Sequence, residues 1–372
     1  MAVEAALGVL STSSLATPTW SILIVHYANV DALLTCLTAL AQQVAPEDEI
    51  LVVDNQGSPA VTALVSGVAQ ARLLTPGRNL GYGAGNNLAA ATARGRYVMI
   101  LNPDVAPRPA FLRHMAAALD GLPELALVTA TLLLPDGRVN ALGNDVTYAG
   151  ITTCRGLGQR HVPGGVYPVP AISGAALALR RSAFHTLGGF DEQFFLYLED
   201  TDLALRARLR GGSCWCAGDA VAVHDYRWRF SPTKQLELEK NRLQLVLKVY
   251  RRETLLALLP GLLLVELCTI AYAALRGPAF LQAKLRAYVL LFEDRHGLRS
   301  RRRRLQAERL VDDDVVLVTC RWRIPFRQQL GPLVGTAVEW LLAPAFYLPF
   351  TAARALARYQ ARPRRWATAL LT

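Results

Sequence analysis

Three carboxylates lie within four positions of this sequence, at Glu199, Asp200 and Asp202. They follow an aromatic, apolar run that begins at Phe194, and they open a segment with helical spacing that reaches Arg208. Repulsion among close carboxylates, together with partial burial, is expected to raise the pKa of at least one of them. A carboxylate with a raised pKa suits a general base. The alternative is an acidic first helical turn in which Asp200 or Asp202 caps the helix.

The length and composition indicate one or two domains and partners that are anionic. Its 372 residues are enough for two domains, or for one large domain with an appendage. Hydrophobic residues make up 52% of the chain and the formal net charge is +11, which favours phosphorylated substrates, nucleic acid or an acidic membrane surface. The six scattered cysteines complete no zinc pattern and favour reduced thiols in a cytoplasmic compartment. We interpret residues 1–19, which lack a basic region, as a leader of small residues and not a signal peptide.

Short apolar runs alternate with helical patterns in the first hundred residues, which predicts an α/β fold with a Rossmann-like, mostly parallel sheet flanked by helices. Trp20–Tyr27 is predicted to be a strand buried on both faces, and Glu49–Asp54 a second buried strand. Ala71–Thr75 and Tyr97–Leu101 are predicted to be the third and fourth strands. Later strands are predicted at Ala126–Leu134, Arg138–Leu142, Ile172–Leu179, Ser213–Ala217 and Ala220–His224. The glycine-rich segment Gly143–Val169 lacks a periodic pattern, and we expect a mobile loop there.

Polar side chains follow several of the predicted strands. Ligands bind at the carboxyl ends of the strands in such sheets, so Asp54, the turn Arg78–Asn87 and Asp104 should converge on one edge. Asp54 could accept a hydrogen bond from a nucleotide base, or it could form an Asx turn. The glycines of the turn could let the backbone approach a phosphate, or they could only serve a strand-to-helix turn.

Oxygen and nitrogen ligands for a divalent cation are also present. Asn102-Pro103-Asp104 places two oxygen-bearing side chains at a strand end, which suits a hard cation shared with a diphosphate, although an Asx-Pro turn needs the same residues. His224 ends a later strand and could be a further metal ligand or a structural residue.

The composition changes after about Phe230. Leu255–Leu275 and Gly331–Phe350 are long, apolar runs, but each contains a glutamate and at least one proline. The polybasic tract Arg299–Arg304 lies between them. Apolar helices beside a polybasic tract predict a peripheral or monotopic region on anionic lipid, and the alternatives are a buried appendage or a homo-oligomer interface. We therefore divide the chain into a leader (1–19), an α/β domain (20–230) and a C-terminal helical, membrane-associating region (231–372).

Seven short segments occur in an order that resembles the family 2 inverting glycosyltransferases with the GT-A fold. The resemblance is greatest to the rhamnosyltransferase-like branch, which builds bacterial cell-wall and O-antigen glycans, and it covers about residues 20–245. The segments are Ser21–Tyr27, Val52–Asn55, Asn79–Asn87, Leu101–Asp104, Ser173–Ala175, Gly188–Glu192 and Tyr197–Asp202. The C-terminal part matches no pattern of this family.

The resemblance implies a role for each matching residue. Asp200 matches the general base, while Asp104 and His224 match the residues that hold Mg²⁺ or Mn²⁺. The donor-binding residues would be Tyr27, Asp54, Asn55, Arg78, Asn79, Gly85, Asn86 and Asn102. The supporting residues would be Glu199, Asp202, Arg206 and Gly174. The sequence departs from the family pattern at Ala28, where asparagine is usual, and at Pro59-Ala60, where an acidic turn is missing.

The resemblance also implies a reaction, which is a single displacement with inversion at the sugar. Asp200 would take the proton of the acceptor hydroxyl, and the cation would take up the charge of the nucleotide diphosphate. The expected donor is dTDP-rhamnose, and the expected acceptor is a lipid-linked glycan at the cytoplasmic face of the cell membrane. UDP-galactose or UDP-N-acetylglucosamine is the alternative donor.

Proteins of other classes are also considered. A membrane-bound scaffold with a non-catalytic transferase-like domain is the alternative outside enzymes. A nucleotidyltransferase is expected to have basic side chains after the first strand, to bind phosphate. Residues 26–30 contain no lysine or arginine, which disfavours that class of enzyme. Nucleic acid is not an expected partner, because the basic residues cluster beside apolar helices and not among exposed aromatic residues.

Overall fold

A computed structural model of the chain describes residues 19–226, 230–326 and 331–369, without the side chains of residues 332 and 361–369. The predicted leader therefore lies almost entirely outside the described residues. The described part has an α/β fold with one large sheet, a small two-stranded sheet and flanking helices. This confirms the predicted fold class.

The first four strands form the parallel part of the large sheet. They are β1 (Trp20–His26), β2 (Glu49–Asp54), β3 (Ala71–Leu74) and β4 (Tyr97–Leu101), and they pair side by side in the order β3-β2-β1-β4. Helices α1 (Val30–Ala41), α2 (Pro59–Ser66) and α3 (Tyr82–Ala90) connect them. Every residue of β1, β2 and β4 is buried, as expected for strands that are covered by apolar clusters on both faces of a sheet.

The second half of the sheet is mixed. Its members are β5 (Val105–Pro107), β6 (Ala126–Leu133), β7 (Val139–Ala141), β10 (Val166–Pro168), β11 (Ala176–Arg180) and β12 (Ser213–His224). The order continues β4-β11-β6-β12-β10, with β11 antiparallel to both neighbours and β12 parallel to β6. β5 pairs with β12, and β7 pairs with β6. The two strands predicted over 213–224 are one strand, because an irregularity between Ala217 and Val221 interrupts the pairing without ending it.

The segment Gly143–Val169 is largely ordered, and the prediction of a mobile loop there is wrong. Strands β8 (Asn144–Val146) and β9 (Thr152–Cys154) form the two-stranded sheet, and β10 lies in the large sheet. All residues from 143 to 150 are buried. Each of these strands has only three residues, which is too short for an alternating pattern to be visible in the sequence.

Helices dominate the remainder of the chain. Those in the α/β domain are α4 (Phe111–Asp120), α5 (Arg181–Thr186) and α6 (Glu199–Leu209). Those after it are α7 (Pro232–Val249), α8 (Arg252–Arg276), α9 (Pro278–Glu293), α10 (Arg295–Glu308), α11 (Asp313–Leu317) and α12 (Pro332–Ala369). One buried apolar cluster joins Phe194 and Leu205 of the α/β domain to Leu245 of α7 and Leu258 of α8. The C-terminal helices therefore share a core with the helix that carries the three carboxylates.

Helix α8 has one charged contact face and one exposed apolar face. Glu266 pairs with Arg242 of α7 and, at 2.8 Å, with Lys284 of α9. Leucines on another face are 44–69% exposed, at Leu256, Leu259, Leu263 and Leu267. By length and composition, α8 and the segment Leu333–Gln360 of α12 could each cross a bilayer.

Candidate active site

The candidate site lies where the strand order of the sheet reverses. The chain leaves β1 for β2 and β3 on one side and then returns to β4 on the other side, which opens a crevice at the carboxyl ends of these strands. Tyr27 follows β1 and is 61% exposed, while Asn102 and Asp104 follow β4 and are half-buried. His224 reaches the same place because it pairs with Val105 across the β12–β5 ladder.

Asp200 accepts four hydrogen bonds from described residues at the start of α6. The backbone N–H groups of Gly174 and Thr201 donate to its two oxygens at 2.8 and 2.6 Å. Asn144 Nδ2 and the Thr201 hydroxyl each donate at 3.3 Å. Burial raises the pKa of the Asp200 carboxyl, and the hydrogen bonds from Gly174 and Thr201 offset part of that rise. The side chain is thus fixed in orientation and has a raised affinity for a proton.

Gly174 is required for the close approach of Asp200. A Cβ at residue 174 would lie 3.1 Å from the Asp200 Cβ and 3.3 Å from its Oδ2. The Gly174 carbonyl accepts a hydrogen bond from the Tyr82 hydroxyl at 2.7 Å. Burial raises the Tyr82 pKa well above its usual value, and the charges of Glu199, Asp200 and Asp104 add to the rise. Tyr82 therefore lies within electrostatic reach of both the candidate base and the candidate metal ligand.

Asp202 has the opposite environment from Asp200. It is fully buried and pairs with Lys248 at 2.6 Å and with Arg206 at 2.7 Å. Burial alone would raise the Asp202 pKa, but these two cations outweigh it and the pKa is lowered. Arg206 also donates to the carbonyls of Leu187 and Gly189, at 2.5 and 2.6 Å. Asp202 is thus an ionised structural anchor between α6, α7 and the loop that follows α5.

Glu199 is the most strongly perturbed of the three carboxylates. It is buried, and its Oε2 has no hydrogen-bond partner within the described part of the chain. Burial raises its pKa well above the usual value, and the charges of Asp200 and Asp202 raise it further. The pKa is thus raised at two of the three carboxylates, by burial at Asp200 and by burial with charge repulsion at Glu199.

The start of α6 does not match the predicted cap. The N-cap residue is Leu198, which has no capping side chain, so neither Asp200 nor Asp202 is the cap. Tyr197 and Leu198 have φ values of 73° and 66°, a region that costs non-glycine residues about 1–3 kcal/mol each. Asn241 of α7 holds this backbone by donating to the carbonyls of Leu196 and Tyr197, at 2.9 and 2.8 Å. Two residues with strained backbone thus lie in the turn that aims Asp200.

Asp104 and His224 form a pair suited to a cation. His224 Nε2 lies 3.3 Å from Asp104 Oδ1, an oxygen that is buried and makes no hydrogen bond within the described residues. His224 Nδ1 lies 2.8 Å from Asn140 Oδ1, which can only accept, so Nδ1 carries the proton and the Nε2 lone pair faces the carboxylate. A neighbour that orients the second ring nitrogen is typical of metal-binding histidines. Among the described residues no group of three or more histidine, cysteine, aspartate or glutamate side chains has an arrangement that could hold a metal ion.

Asp54 and Asn55 are occupied by contacts within the protein. The Asp54 carboxylate is 1% exposed and accepts from the Gln56 and Ser58 backbone N–H groups at 3.0 and 2.6 Å. His26 Nδ1 lies 3.2 Å from the same carboxylate. Asn55 accepts from the Leu80 N–H at 3.2 Å and donates to a neighbouring carbonyl. These contacts match the Asx-turn alternative and tie β2 to the turn before α3.

The glycines of the turn before α3 face protein and not an open cavity. A Cβ on Gly81 would lie 2.4 Å from the Phe195 carbonyl oxygen, and a Cβ on Gly85 would lie 2.9 Å from the Val25 side chain. Gly83 is similarly close to Phe190. The glycines thus serve the close packing of α3 on β1 and on the segment before Asp200, which is the alternative given above.

The remaining donor-binding candidates differ in exposure. Arg78 and Asn79 are exposed, and the Asn79 Oδ1 accepts from the Gly81 N–H at 2.9 Å. Asn86 is fully buried and donates to the Tyr82 carbonyl at 3.0 Å. Arg78 and Asn79 can therefore reach a ligand, whereas Asn86 contacts α3 itself.

Several residues of the site were not predicted from the sequence. They are His26, Tyr82, Asn140, Asn144, Asn241 and Lys248. Each acts through a partner that is distant in the chain; Asn140, for example, is 84 residues from His224. Only His26 and Tyr82 carried a local signal, because they adjoin a strand end and the glycine-rich turn.

Comparisons with known proteins agree with this architecture. Residues 21–188 match the family described as glycosyl transferase family 2. The chain is 31% identical over 224 residues to the O-antigen biosynthesis protein RfbC of Myxococcus xanthus, which covers 56% of this chain and 17% of that protein. It is 29% identical over 203 residues to the N-acetylglucosaminyl-diphospho-decaprenol L-rhamnosyltransferase of Mycobacterium tuberculosis, which covers 47% of this chain and 66% of that protein. The matched regions thus span less than two thirds of these relatives.

Two solved structures establish the likeness in fold. GalNAc-T7 with UDP, GalNAc and Mn²⁺ has a TM-score of 0.54 at 15% identity, over 64% of this chain and 49% of that chain. S. aureus TarS 1-349 in complex with UDP-GlcNAc has a TM-score of 0.52 at 14% identity, over 93% and 92%. The α/β domain has the GT-A glycosyltransferase fold that the sequence predicts.

Proposed function

We propose that the chain is a metal-dependent, inverting glycosyltransferase that transfers L-rhamnose from dTDP-rhamnose to a lipid-linked glycan. The observation that carries this proposal is the environment of Asp200. Its carboxylate is oriented by the Gly174 and Thr201 N–H groups, its pKa is raised, and Tyr82 lies within electrostatic reach of both Asp200 and Asp104. A non-catalytic scaffold has no need of a carboxylate with these properties.

The arrangement suits proton removal during a direct displacement. The acceptor hydroxyl attacks C1 of the donor sugar as the bond to the nucleotide diphosphate breaks, and Asp200 takes the hydroxyl proton. A raised pKa makes the carboxylate a stronger base than an ordinary aspartate. Asp202 keeps its charge beside Lys248 and Arg206, so it holds the position of α6 and does not compete for the proton. One displacement inverts the configuration at C1.

Asp104 and His224 fit a divalent cation. The unsatisfied Asp104 Oδ1 and the Nε2 lone pair of His224 are 3.3 Å apart, and both are donor atoms that Mg²⁺ or Mn²⁺ accepts. With two protein ligands, the other positions are left to diphosphate oxygens and water. Bound there, the cation would neutralise the charge that develops on the leaving diphosphate.

The donor and acceptor are proposed from the relatives. The Mycobacterium tuberculosis protein is named a rhamnosyltransferase that acts on a diphospho-decaprenol glycan, and the Myxococcus xanthus protein is named for O-antigen biosynthesis. A UDP-hexose is the alternative donor, since TarS was solved with UDP-GlcNAc.

The C-terminal helices supply the membrane part of the proposal. The exposed leucines of α8 and the exposed Leu333, Trp340 and Leu341 of α12 form apolar surface that lipid could cover. Glu266 ties α8 to the charged helix α7, which favours a peripheral or monotopic position at the cytoplasmic face of the membrane over a crossing by α8.

A panel of nucleotide sugars tests the proposal. The purified chain is heated with dTDP-rhamnose, UDP-galactose or UDP-N-acetylglucosamine, with and without Mn²⁺, and with plain dTDP and UDP as references. We expect the largest rise in Tm with dTDP-rhamnose and Mn²⁺, and transfer from that donor to a polyprenyl-diphosphate glycan. Stabilisation by no nucleotide sugar would contradict the proposal, and preferential stabilisation by a UDP-sugar would select the alternative donor.

A further inference from the structure

A basic cavity lies beside the C-terminal end of α7. Its volume is about 760 Å³, and it lies between the start of α8 and one side of α10. Its walls carry six arginines, at Arg251, Arg252, Arg299, Arg302, Arg303 and Arg309. The one acidic side chain in the wall is Glu253. We call this the arginine cavity.

Four of these arginines form no ion pair with a described carboxylate. Arg251 pairs with Asp312 at 2.7 Å, and Arg309 pairs with Asp313. No carboxylate within residues 19–226, 230–326 and 331–369 forms an ion pair with the other four. Burial lowers the pKa of Arg302, the charges of Arg252 and Arg309 lower it further, and the charges of Asp313 and Glu253 offset part of this effect. Like charges are thus crowded at a concave surface, which is an arrangement that an anion stabilises.

An apolar groove adjoins the arginine cavity. It has a volume of about 400 Å³ and shares Arg252, Arg299 and Arg302 with the cavity. Its remaining walls are mainly apolar, with Leu247, Leu255, Leu291, Phe292 and Leu298 from α7, α8, α9 and α10.

The groove opens toward the exposed apolar surface of the helices. Phe292 in its wall is 67% exposed, and Leu256, next to the groove residue Leu255, is 69% exposed. Apolar surface thus continues from the groove onto α8 and α9.

We infer that the arginine cavity and the groove together bind an acidic membrane phospholipid. The guanidinium groups of Arg252, Arg299 and Arg303 would hold the head-group phosphate, and the groove would take the first part of an acyl chain. A free phosphate or a nucleotide would fill the cavity and leave the apolar groove exposed. Only a ligand with a phosphate beside a hydrocarbon chain matches both surfaces at once.

The groove lies away from the proposed cation site at Asp104 and His224. Lys234, near the start of α7, lies 3.2 Å from the Tyr226 hydroxyl, and the Tyr226 ring packs against His224. Leu247, in the groove wall, is 13 residues further along the same helix. At about 1.5 Å per helical residue this is a separation of about 20 Å. The inference shares the proposed membrane position of the C-terminal helices, but it does not depend on the transfer reaction.

The inference is tested by thermal shift of the full chain in a mild, uncharged detergent. The probe is dioctanoyl phosphatidic acid, compared with dioctanoyl phosphatidylcholine and with inorganic phosphate. The variants are Arg299→Gln/Arg303→Gln and the matched control Arg304→Gln, which removes a charge from the next residue of α10 but lies outside the arginine cavity. We expect phosphatidic acid to raise the Tm of the wild type and of Arg304→Gln, with the double variant weakened at least tenfold in apparent affinity.

A groove variant separates lipid from free anion. Phe292→Ser alters the groove, and Leu285→Ser alters an exposed leucine of α9 outside it. We expect Phe292→Ser to weaken the binding of phosphatidic acid, and Leu285→Ser to leave it unchanged. Equal stabilisation by inorganic phosphate would replace the lipid with a simple anion, and an equal response of all variants to phosphatidic acid would overturn the site. A loss of dTDP-rhamnose binding with lipid binding intact would reject the proposed function and leave this inference standing.

Discussion

The start of α6 and the arginine cavity differ in how their charges are satisfied. At the start of α6, the carboxylate of Asp202 is fully buried and has two cationic partners within the protein, and Asp200 accepts four hydrogen bonds from described residues. In the arginine cavity, Arg252, Arg299 and Arg303 are exposed and have no acidic partner among the described residues. The first arrangement fixes side chains for chemistry, whereas the second leaves charges available for a ligand from outside.

The largest expected effect is on turnover. Asp200→Asn keeps the size of the side chain but cannot take a proton, so we expect sugar transfer to fall by about 1,000-fold. Nucleotide binding should persist, and the Tm should fall less than in Asp202→Asn. Loss of the charge relieves the desolvation that raises the pKa, while the amide NH₂ can no longer accept from one of the two backbone N–H groups. Transfer assays and thermal unfolding of the purified variant check both expectations. Unchanged turnover would reject Asp200 as the base.

The matched substitution at Asp202 should lower the free energy of unfolding by more than Asp200→Asn does. Asp202→Asn leaves Lys248 with one fewer partner in a buried place, and breaking such a pair costs about 3 kcal/mol. Urea unfolding of the wild type, Asp202→Asn and Asp200→Asn measures the difference directly. If both variants lost the same stability, the two carboxylates would not have the separate roles described here.

Acidification should separate activity from this contribution to stability. Turnover needs unprotonated Asp200, so it falls as the pH drops through the raised pKa of that residue. The Asp202 pair stabilises the fold above the unfolded-state pKa of aspartate, and that contribution is lost as the pH drops through the lowered pKa of the folded state. As the pH is lowered, transfer rates should therefore begin to fall at a higher pH than the unfolding midpoints do. A common midpoint would contradict the opposite shifts.

A smaller effect is expected at Asn140. Asn140→Ala frees the His224 ring, and the loss of such an orienting partner weakens metal affinity by about 10- to 100-fold. Asn140→Asp keeps an accepting oxygen and serves as the matched control. Calorimetric titration of Mn²⁺ in the presence of dTDP measures the affinities. Equal binding by Asn140→Ala and the wild type would remove His224 from the proposed metal site.

The smallest effect of a single substitution is expected in the arginine cavity. One arginine near an anionic membrane contributes about 1 kcal/mol, or about fivefold in binding. Arg303→Gln should therefore weaken co-sedimentation with phosphatidylcholine vesicles that contain phosphatidic acid by at least fivefold, and more than Arg304→Gln does. Equal losses would indicate a diffuse surface charge and no cavity.

The sequence predicted the parts of the molecule whose signal is local. The buried strands before Asp54 and Asn102 are short apolar runs, which predicted them as strands. The acids of α6 belong to the last of the seven ordered segments, which predicted their place in the site. It could not predict partners that meet only in the fold. Lys248 and Asp202 are 46 residues apart in the sequence, and no local pattern near either residue predicts that they pair. The three-residue strands of 143–169 were missed because a period of two needs a longer run.

The glycine-rich turn shows a different limit of the sequence. Glycines permit close approach by any group, and in the fold Gly81 and Gly85 admit Phe195 and Val25. The residue type predicted the closeness but could not identify the neighbour. Likewise, Asp54 at a strand end was predicted to face a ligand, and the structure surrounds it with its own turn and with His26.

The stereochemistry of transfer tests the account most directly. The wild type is incubated with dTDP-rhamnose, Mn²⁺ and a polyprenyl-diphosphate glycan, and the configuration at C1 of the newly added sugar is read by NMR. A single displacement assisted by Asp200 predicts a product with the configuration opposite to that of the donor. A product that retains the donor configuration would contradict the role assigned to Asp200 and the direct displacement at this site.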